Sequence, residues 1–112
     1  MRITLKDGTS YTVSRASRNL DLINGGYQIH LTLTKSNDLV LEDLATKFTD
    51  ENLESITVNR DSGDLTYTNQ TLDFLNEDYS DAMNEIIIII RDLTDEIKAQ
   101  RAADAAMANT EL

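Results

Sequence analysis

Five consecutive isoleucines, Ile86 to Ile90, constrain the fold of this chain more than any other segment. Their β-branched side chains disfavour a helix, and a run without polar alternation is typical of a strand that is covered on both faces. The run is also far shorter than the roughly 20 residues that a membrane-spanning helix needs. It therefore predicts a central strand that is packed between two layers.

Period-two alternation elsewhere predicts further antiparallel strands. Apolar and polar residues alternate on both sides of Asp7-Gly8, a pair that favours a type I′ turn, so we expect an opening β-hairpin. The alternation returns in residues 27–35, which predicts a strand with one apolar face. A second hairpin is predicted around the turn at residues 61–64, and residues 72–75 predict a less regular strand.

Three segments break this alternation. Residues 14–26 have no sustained period and end in Gly25-Gly26, so we expect a connecting loop whose glycines take positive φ. Residues 41–48 carry apolar side chains at helical spacing, which predicts a short amphipathic helix. Residues 76–81 are polar and acidic, which predicts a surface loop.

The C-terminal segment is rich in strong helix formers, and it predicts a helix that is capped by Asp92 and extends to about residue 108. Apolar and small side chains form two incomplete stripes along this helix, and neither stripe is a coiled-coil seam. Because an isolated helix of this length is marginal in water, we expect a neighbouring chain to stabilise it, with a frayed, solvated tail as the alternative. The predicted interaction residues are Leu93, Ile97, Ala99, Ala102, Ala103, Ala106 and Met107.

Together these elements predict an α+β fold, namely a mainly antiparallel β domain with one short helix and a C-terminal helix. We expect residues 1–90 to form the β-rich domain and residues 91–112 to form a docking or oligomerising helix. The 112 residues suffice for one hydrophobic core, and the sequence contains no cysteine for a disulfide or a thiolate metal cluster. Stability must therefore come from packing.

Charge is distributed unevenly along the chain. The formal net charge is −10, of which residues 1–35 carry +3, residues 36–90 carry −11 and residues 91–112 carry −2. Such a charge repels nucleic acids and anionic lipids and attracts basic protein surfaces. We therefore expect neither a nucleic acid nor a membrane as a partner. The opening MRITLKDGTS lacks the apolar segment of a signal peptide, which favours a protein assembled in the cytoplasm.

No catalytic or metal-binding motif stands out in the sequence. His30 is the only histidine, and it falls on the polar side of its predicted strand, where we expect a structural role. The acidic clusters at residues 61–64 and 76–81 lack the ligand spacing of an EF-hand loop. Gly25-Gly26 lacks the lysine that follows in a phosphate-binding loop. We therefore predict a non-enzymatic protein without a cofactor or a metal.

The order of these motifs resembles that of small proteins encoded in the tail modules of bacteriophages and prophages of Gram-positive bacteria. The resemblance lies in the opening MRITLKDGTSYTV, in LEDLATKFTDENLESITV followed by DSGDLTYTN and QTLDF, and in the EIIIII run that passes into a terminal helix. It implies a structural protein of the virion tail or baseplate. From the small residues of its C-terminal helix we expect this protein to form homo-oligomers and to contact other tail proteins. The alternative function is an acidic mimic of nucleic acid that inhibits a host nuclease, of the anti-CRISPR or anti-restriction type.

Overall fold

The computed structural model describes residues 1–34, 39–80 and 83–110, with the backbone alone at 77–80, 83–84 and 107–110. These residues form eight strands and two helices, in an α+β fold that is mostly antiparallel β, as predicted. In chain order the elements are β1 (Arg2–Thr4), β2 (Ser10–Thr12), β3 (Arg15–Leu20), β4 (Tyr27–Thr34), α1 (Leu41–Lys47), β5 (Ser55–Asn59), β6 (Leu65–Thr68), β7 (Gln70–Ser80), β8 (Met83–Asp92) and α2 (Asp95–Thr110).

The strands form two antiparallel sheets of four strands each. Sheet A has the strand order β2-β1-β5-β6, and sheet B has the order β3-β4-β8-β7. The hydrophobic core contains side chains from both sheets and from α1, and their removal from water drives folding. The core side chains with the least exposure are Ile3, Leu31, Leu33, Leu44, Leu53, Ile56, Ile86, Ile88 and Ile90.

The isoleucine run lies in β8, between β4 and β7 at the centre of sheet B, as predicted. Ile86, Ile88 and Ile90 are fully buried in the core, whereas Ile87 and Ile89 are only half-buried. The predicted cover is therefore complete on the core face and partial on the other face. Successive side chains of a strand point to opposite faces, so a sheet with its core on one side leaves every second isoleucine on the other.

The opening hairpin forms as predicted, with Ile3 of β1 paired with Tyr11 of β2. The predicted type I′ turn is wrong, because Gly8 is the only turn residue with positive φ, at 90°. The Leu5 N–H donates to the Thr9 carbonyl at 2.8 Å across a three-residue loop. Loops of this length place a single residue, usually glycine, in the left-handed conformation.

Residues 15–20 form β3, an edge strand of sheet B, where the sequence predicted part of a loop. Among its residues only Ala16 is half-buried, so burial gives this strand almost no periodic signal. Backbone hydrogen bonds to β4 hold it in the extended conformation. The predicted loop shrinks to residues 21–26, in which Gly25 and Gly26 have the expected positive φ, at 78° and 75°.

Helix α1 and the second hairpin form as predicted. α1 places Leu44 in the core, and Phe48, directly after the helix, is also buried. β5 and β6 pair in antiparallel fashion, and the turn between them contains Gly63, whose φ is 124°.

β7 is longer than the sequence predicted. Residues 72–75 lie in this strand as expected, with a register shift between Leu72 and Phe74. The strand continues to Ser80, so the prediction of an acidic loop is wrong up to that residue, while Asp81 lies outside the described residues. Pairing with the long central strand β8 explains the extended conformation, because each further residue of β7 extends the ladder.

Candidate functional site

Helix α2 begins after Thr94 and not at Asp92, where a cap was predicted. The Thr94 hydroxyl accepts a hydrogen bond from the Ile97 N–H at 3.2 Å, and the Thr94 carbonyl accepts one from the Lys98 N–H at 3.0 Å. Thr94 is therefore the N-cap. Asp95 follows in the first turn, where its negative charge complements the positive end of the helix dipole.

Asp92 ends β8 and connects it to both neighbouring strands. Its carboxylate accepts a hydrogen bond from the Tyr27 N–H of β4 at 3.0 Å and one from the Gln70 side chain of β7 at 2.7 Å. The Gln70 amide also donates to the Thr68 carbonyl at 3.0 Å. Asp92 therefore satisfies donors of adjacent strands, which explains why it does not cap the helix.

The loop at residues 21–26 is held by the Asp21 carboxylate. It accepts hydrogen bonds from the backbone N–H of Ile23 at 3.0 Å and from that of Asn24 at 3.1 Å. The bonds from Asn24, followed by that from Ile23, lower the pKa of Asp21 from 3.8 to about 2. At neutral pH the ionised carboxylate therefore fixes the loop conformation.

Arg91 of β8 holds the same loop through its buried side chain. Its guanidinium donates to the Asp21 carboxylate at 3.0 Å and to the Gly25 carbonyl at 2.6 Å. The side chains of Arg91 and Asp21 are only 4% and 11% exposed, so the ion pair is largely withdrawn from solvent. Such a pair is costly to break, because removal of either partner leaves the other as a buried charge without compensation. The loop is therefore anchored at both of its ends.

This anchored loop exposes two adjacent aliphatic side chains, Leu22 at 86% and Ile23 at 92%. Leu20, at the end of β3, is about half exposed. Contiguous apolar surface on a soluble domain marks sites of protein–protein contact. Sequence patterns did not reveal Leu22 and Ile23, because apolar residues in a loop produce no helical or strand period.

Gly26 places this loop directly beside the start of α2. A Cβ atom at Gly26 would lie 3.2 Å from the Asp92 Cβ and 3.5 Å from the Thr94 Cγ2. The close approach therefore disfavours a side chain at this position, in addition to the positive φ, which favours glycine. The loop and the base of α2 consequently form one continuous part of the surface.

Arg101 attaches α2 to the edge strand β7. Its Nη1 donates to the Thr71 hydroxyl at 2.5 Å, and its Nη2 donates to the Leu72 carbonyl at 3.1 Å. The same guanidinium lies 3.9 Å from the Asp50 carboxylate, which also accepts a hydrogen bond from Thr71 at 2.5 Å. Sequence patterns did not predict this attachment, because Arg101 and Thr71 are separated by 30 positions.

The predicted interaction residues fall into two groups. Leu93 and Ile97 are half-buried at the base of α2. The alanines are exposed, and no other element of the described chain packs extensively along the helix. Met107 lies within α2, but its side chain is outside the described part of the structure. The exposed members of the group are Ala99, Ala102, Ala103 and Ala106.

The described side chains contain no group of three metal-ligating residues that could hold an ion. His30 is half-buried, with its Nε2 atom 3.4 Å from the Gln28 Oε1 atom, so it has a polar neighbour within its own strand. Within residues 1–34, 39–80 and 83–110, no helix is both long and apolar enough to cross a membrane.

Comparisons of the chain with protein-family models, with curated proteins and with solved structures each found no match. No relative therefore assigns a role to any residue of the chain. Function is inferred from the geometry of α2 and of the loop beside it.

Proposed function

We propose that this chain is a non-enzymatic structural or adaptor protein of a phage tail or baseplate, and that it acts through protein–protein contacts. α2 is the main contact surface, and Leu22 and Ile23 lie on the loop beside its base. The resemblance in motif order supports the assignment to a tail. The site of action is then the virion tail, after assembly in the bacterial cytoplasm.

The exposure of α2 is the observation that carries this proposal. The base of the helix is fixed, because Thr94 caps it and Arg101 joins it to β7. Its alanines are nevertheless exposed, although an isolated helix of this length is marginal in water. Small side chains also let a second helix approach closely, since the distance between packed helices depends on the side chains at the contact. A second copy or another tail protein is the partner that this surface fits.

Charge placed on the exposed alanines tests this role. Ala102→Glu and Ala103→Glu introduce a large charged side chain, while glutamate retains a high helix propensity. We expect both variants to lose self-association and incorporation into tail particles, and to keep the circular dichroism spectrum of the native chain. Light scattering measures the mass, and the copy number in purified particles measures incorporation.

Ala105→Glu is the matched control, because it makes the same substitution at an exposed alanine of α2 that is not among the predicted interaction residues. Native mass and native incorporation in all three variants would contradict the proposal. A truncation after Thr94 removes the whole helix and retains Asp92, whose hydrogen bonds join β4, β7 and β8. It should give the same loss with the β strands still folded.

The acidic nuclease inhibitor remains the alternative prediction. In the described residues, three carboxylates of the acid-rich segment 36–85 already pair with basic side chains of the same chain, which reduces the charge available to a basic channel. These pairs are Asp50 with Arg101, Glu54 with Lys6, and Glu85 with Arg15. They favour the assembly role. Tight binding to a host nuclease that weakens steeply as salt rises would support the inhibitor instead.

A further inference from the structure

β3 carries unpaired backbone groups along the outer edge of sheet B. The Asp21 N–H donates to the Gly26 carbonyl at 2.9 Å, as expected for a hydrogen-bonded pair that continues the β3–β4 ladder. Such pairs alternate along an antiparallel ladder, so every second residue of β3 directs its N–H and C=O groups away from β4. These residues are Ala16, Arg18 and Leu20, and no hydrogen bond from elsewhere in the described chain reaches their backbone groups.

Two adjoining cavities follow this edge, and we call them together the β3 trough. One cavity, of about 230 Å³, separates β3 from sheet A, and its walls include Arg18, Val58 and Tyr67. The other, of about 560 Å³, extends to His30 of β4. Both cavities are lined by Ala16 and by Ser17, whose side chains belong to opposite faces of β3. The two cavities therefore lie on opposite faces of β3 and adjoin at its outer edge, since β4 closes the other side of the strand.

The β3 trough is basic, although the chain as a whole carries a charge of −10. The Arg18 guanidinium lies 3.8 Å from the centroid of the Tyr27 ring and 5.2 Å from that of Tyr67. Arg60 also lines the trough, and its Nε donates to the Gly63 carbonyl at 3.1 Å. None of the ion pairs between described residues involves Arg18 or Arg60. Arginines held by rings and backbone, and not neutralised by carboxylates, are complementary to a negatively charged ligand.

We propose that the β3 trough binds an extended acidic segment of a partner protein, which adds to the four strands of sheet B as a fifth strand. The backbone of that segment pairs with Ala16, Arg18 and Leu20, and its carboxylates meet Arg18 and Arg60. Strand addition of this kind takes its affinity from main-chain hydrogen bonds and its specificity from side-chain contacts. The trough lies on the opposite edge of sheet B from β7 and α2, so this proposal does not depend on the role proposed for α2.

A peptide titration of the full, ¹⁵N-labelled chain tests this proposal. The probe is a capped peptide of alternating glutamate and valine with six residues, the length of β3. We expect the amide signals of Ala16, Arg18 and Leu20 to shift and their hydrogen exchange to slow when this peptide is added. A lysine–valine peptide of the same length is the control, and it should leave these amides unchanged.

Two variants separate backbone pairing from charge recognition. Leu20→Pro removes an N–H group that points outward, and it leaves the hydrogen bonds between β3 and β4 intact. An edge strand tolerates proline at such a position. We expect it to raise the peptide Kd about tenfold, whereas Leu20→Ala, which keeps the N–H, stays within about twofold. The double variant Arg18→Gln/Arg60→Gln should raise the Kd by about three- to tenfold. It also keeps the proposal testable if the proline variant does not fold.

Three results would overturn the proposal. Equal binding of the acidic and basic peptides would show that the arginines do not select the ligand. Slow exchange of the same amides without peptide, increasing with protein concentration, would show that a second copy of this chain fills the trough. Acetate ions that reproduce the effect of the peptide would show a simple anion site, without addition of a strand.

Discussion

The two edges of sheet B end in different ways. At β7 the Leu72 carbonyl accepts a hydrogen bond from Arg101 of α2 at 3.1 Å, and a register shift beside Leu72 interrupts the regular ladder. At β3 the outward backbone groups of Ala16, Arg18 and Leu20 receive no such bond from the described chain. The β7 edge is closed at Leu72 by a bulge and by a side chain of α2, whereas the β3 edge is open and basic.

This difference indicates how the chain limits unwanted pairing. An exposed strand edge is a template for aggregation, and native sheets cover, bend or charge their edges to prevent it. The irregularity of β7 and its bond to Arg101 discourage strand addition on that side. On the other side, Arg18 and Arg60 favour an acidic strand and repel a basic one.

The largest expected effect comes from the central strand that supports both edges. Ile88 of β8 is fully buried, so Ile88→Ala removes packing and leaves a cavity. We expect the free energy of unfolding to fall by about 2–5 kcal/mol in chemical denaturation. Hydrogen exchange should accelerate in β3 and β7 together. Ile89→Ala is the control at a half-buried position, and an equal cost for the two variants would contradict the one-sided core.

A smaller effect is expected where the open edge ends. Arg91→Met keeps the apolar part of the side chain but leaves the Asp21 carboxylate and the Gly25 carbonyl without their donor. We expect a loss of about 1–3 kcal/mol in the free energy of unfolding, with faster exchange in the loop at residues 21–26. Lys6→Met is the control, because Lys6 also pairs with a carboxylate, that of Glu54, but the two side chains are 48% and 59% exposed. That variant should lose less than about 1 kcal/mol, and similar losses would argue against burial as the cause.

The closed edge should respond to the loss of its attachment. Arg101→Gln removes the guanidinium that joins α2 to Thr71 and Leu72. We expect a loss of about 0.5–1.5 kcal/mol in the free energy of unfolding and a lower helix content by circular dichroism. Lys98→Gln removes a positive charge from the same helix and should have little effect. Equal free energies of unfolding and equal helix contents for the two variants would show that the attachment does not stabilise the chain.

The smallest effect is a change with pH at the loop beside the open edge. The pKa of Asp21 is about 2 in the folded chain and 3.8 ordinarily, so its stabilising bonds are fully present above about pH 4. They are lost as the pH falls from about 4 towards 2. The methyl signals of Leu22 and Ile23 should move towards unfolded values over this range. In Asp21→Asn the methyl signals should no longer change over this pH range. An unchanged pH dependence in that variant would show that another carboxylate causes it.

The sequence predicted the elements whose burial follows a period. The core residues of β4 alternate strictly, those of α1 recur at helical spacing, and the isoleucines mark β8 as the centre of a sheet. β3 and the end of β7 were predicted as loops, because neither segment has a periodic buried face. Hydrogen bonds to a neighbouring strand hold them in the extended conformation instead. Such pairing depends on residues far along the chain.

Part of the candidate site was also predictable. Helix propensity indicated α2 and its exposed alanines, but nothing in the local sequence connects Arg91 to Asp21, which lies 70 positions away. The same holds for the contact of Arg101 with β7. Local capping preference favoured Asp92, whereas the fold uses that carboxylate between strands and leaves the cap to Thr94.

The anchored loop has a kinetic consequence for any partner that covers Leu22 and Ile23. Asp21 and Arg91 already hold the backbone in one shape, so docking does not require that segment to become ordered first. The entropic cost of ordering this segment is part of the folding of the chain and does not recur on binding. Encounter with a matching apolar pocket should therefore proceed in a single phase whose rate rises linearly with partner concentration, without a slow rearrangement afterwards.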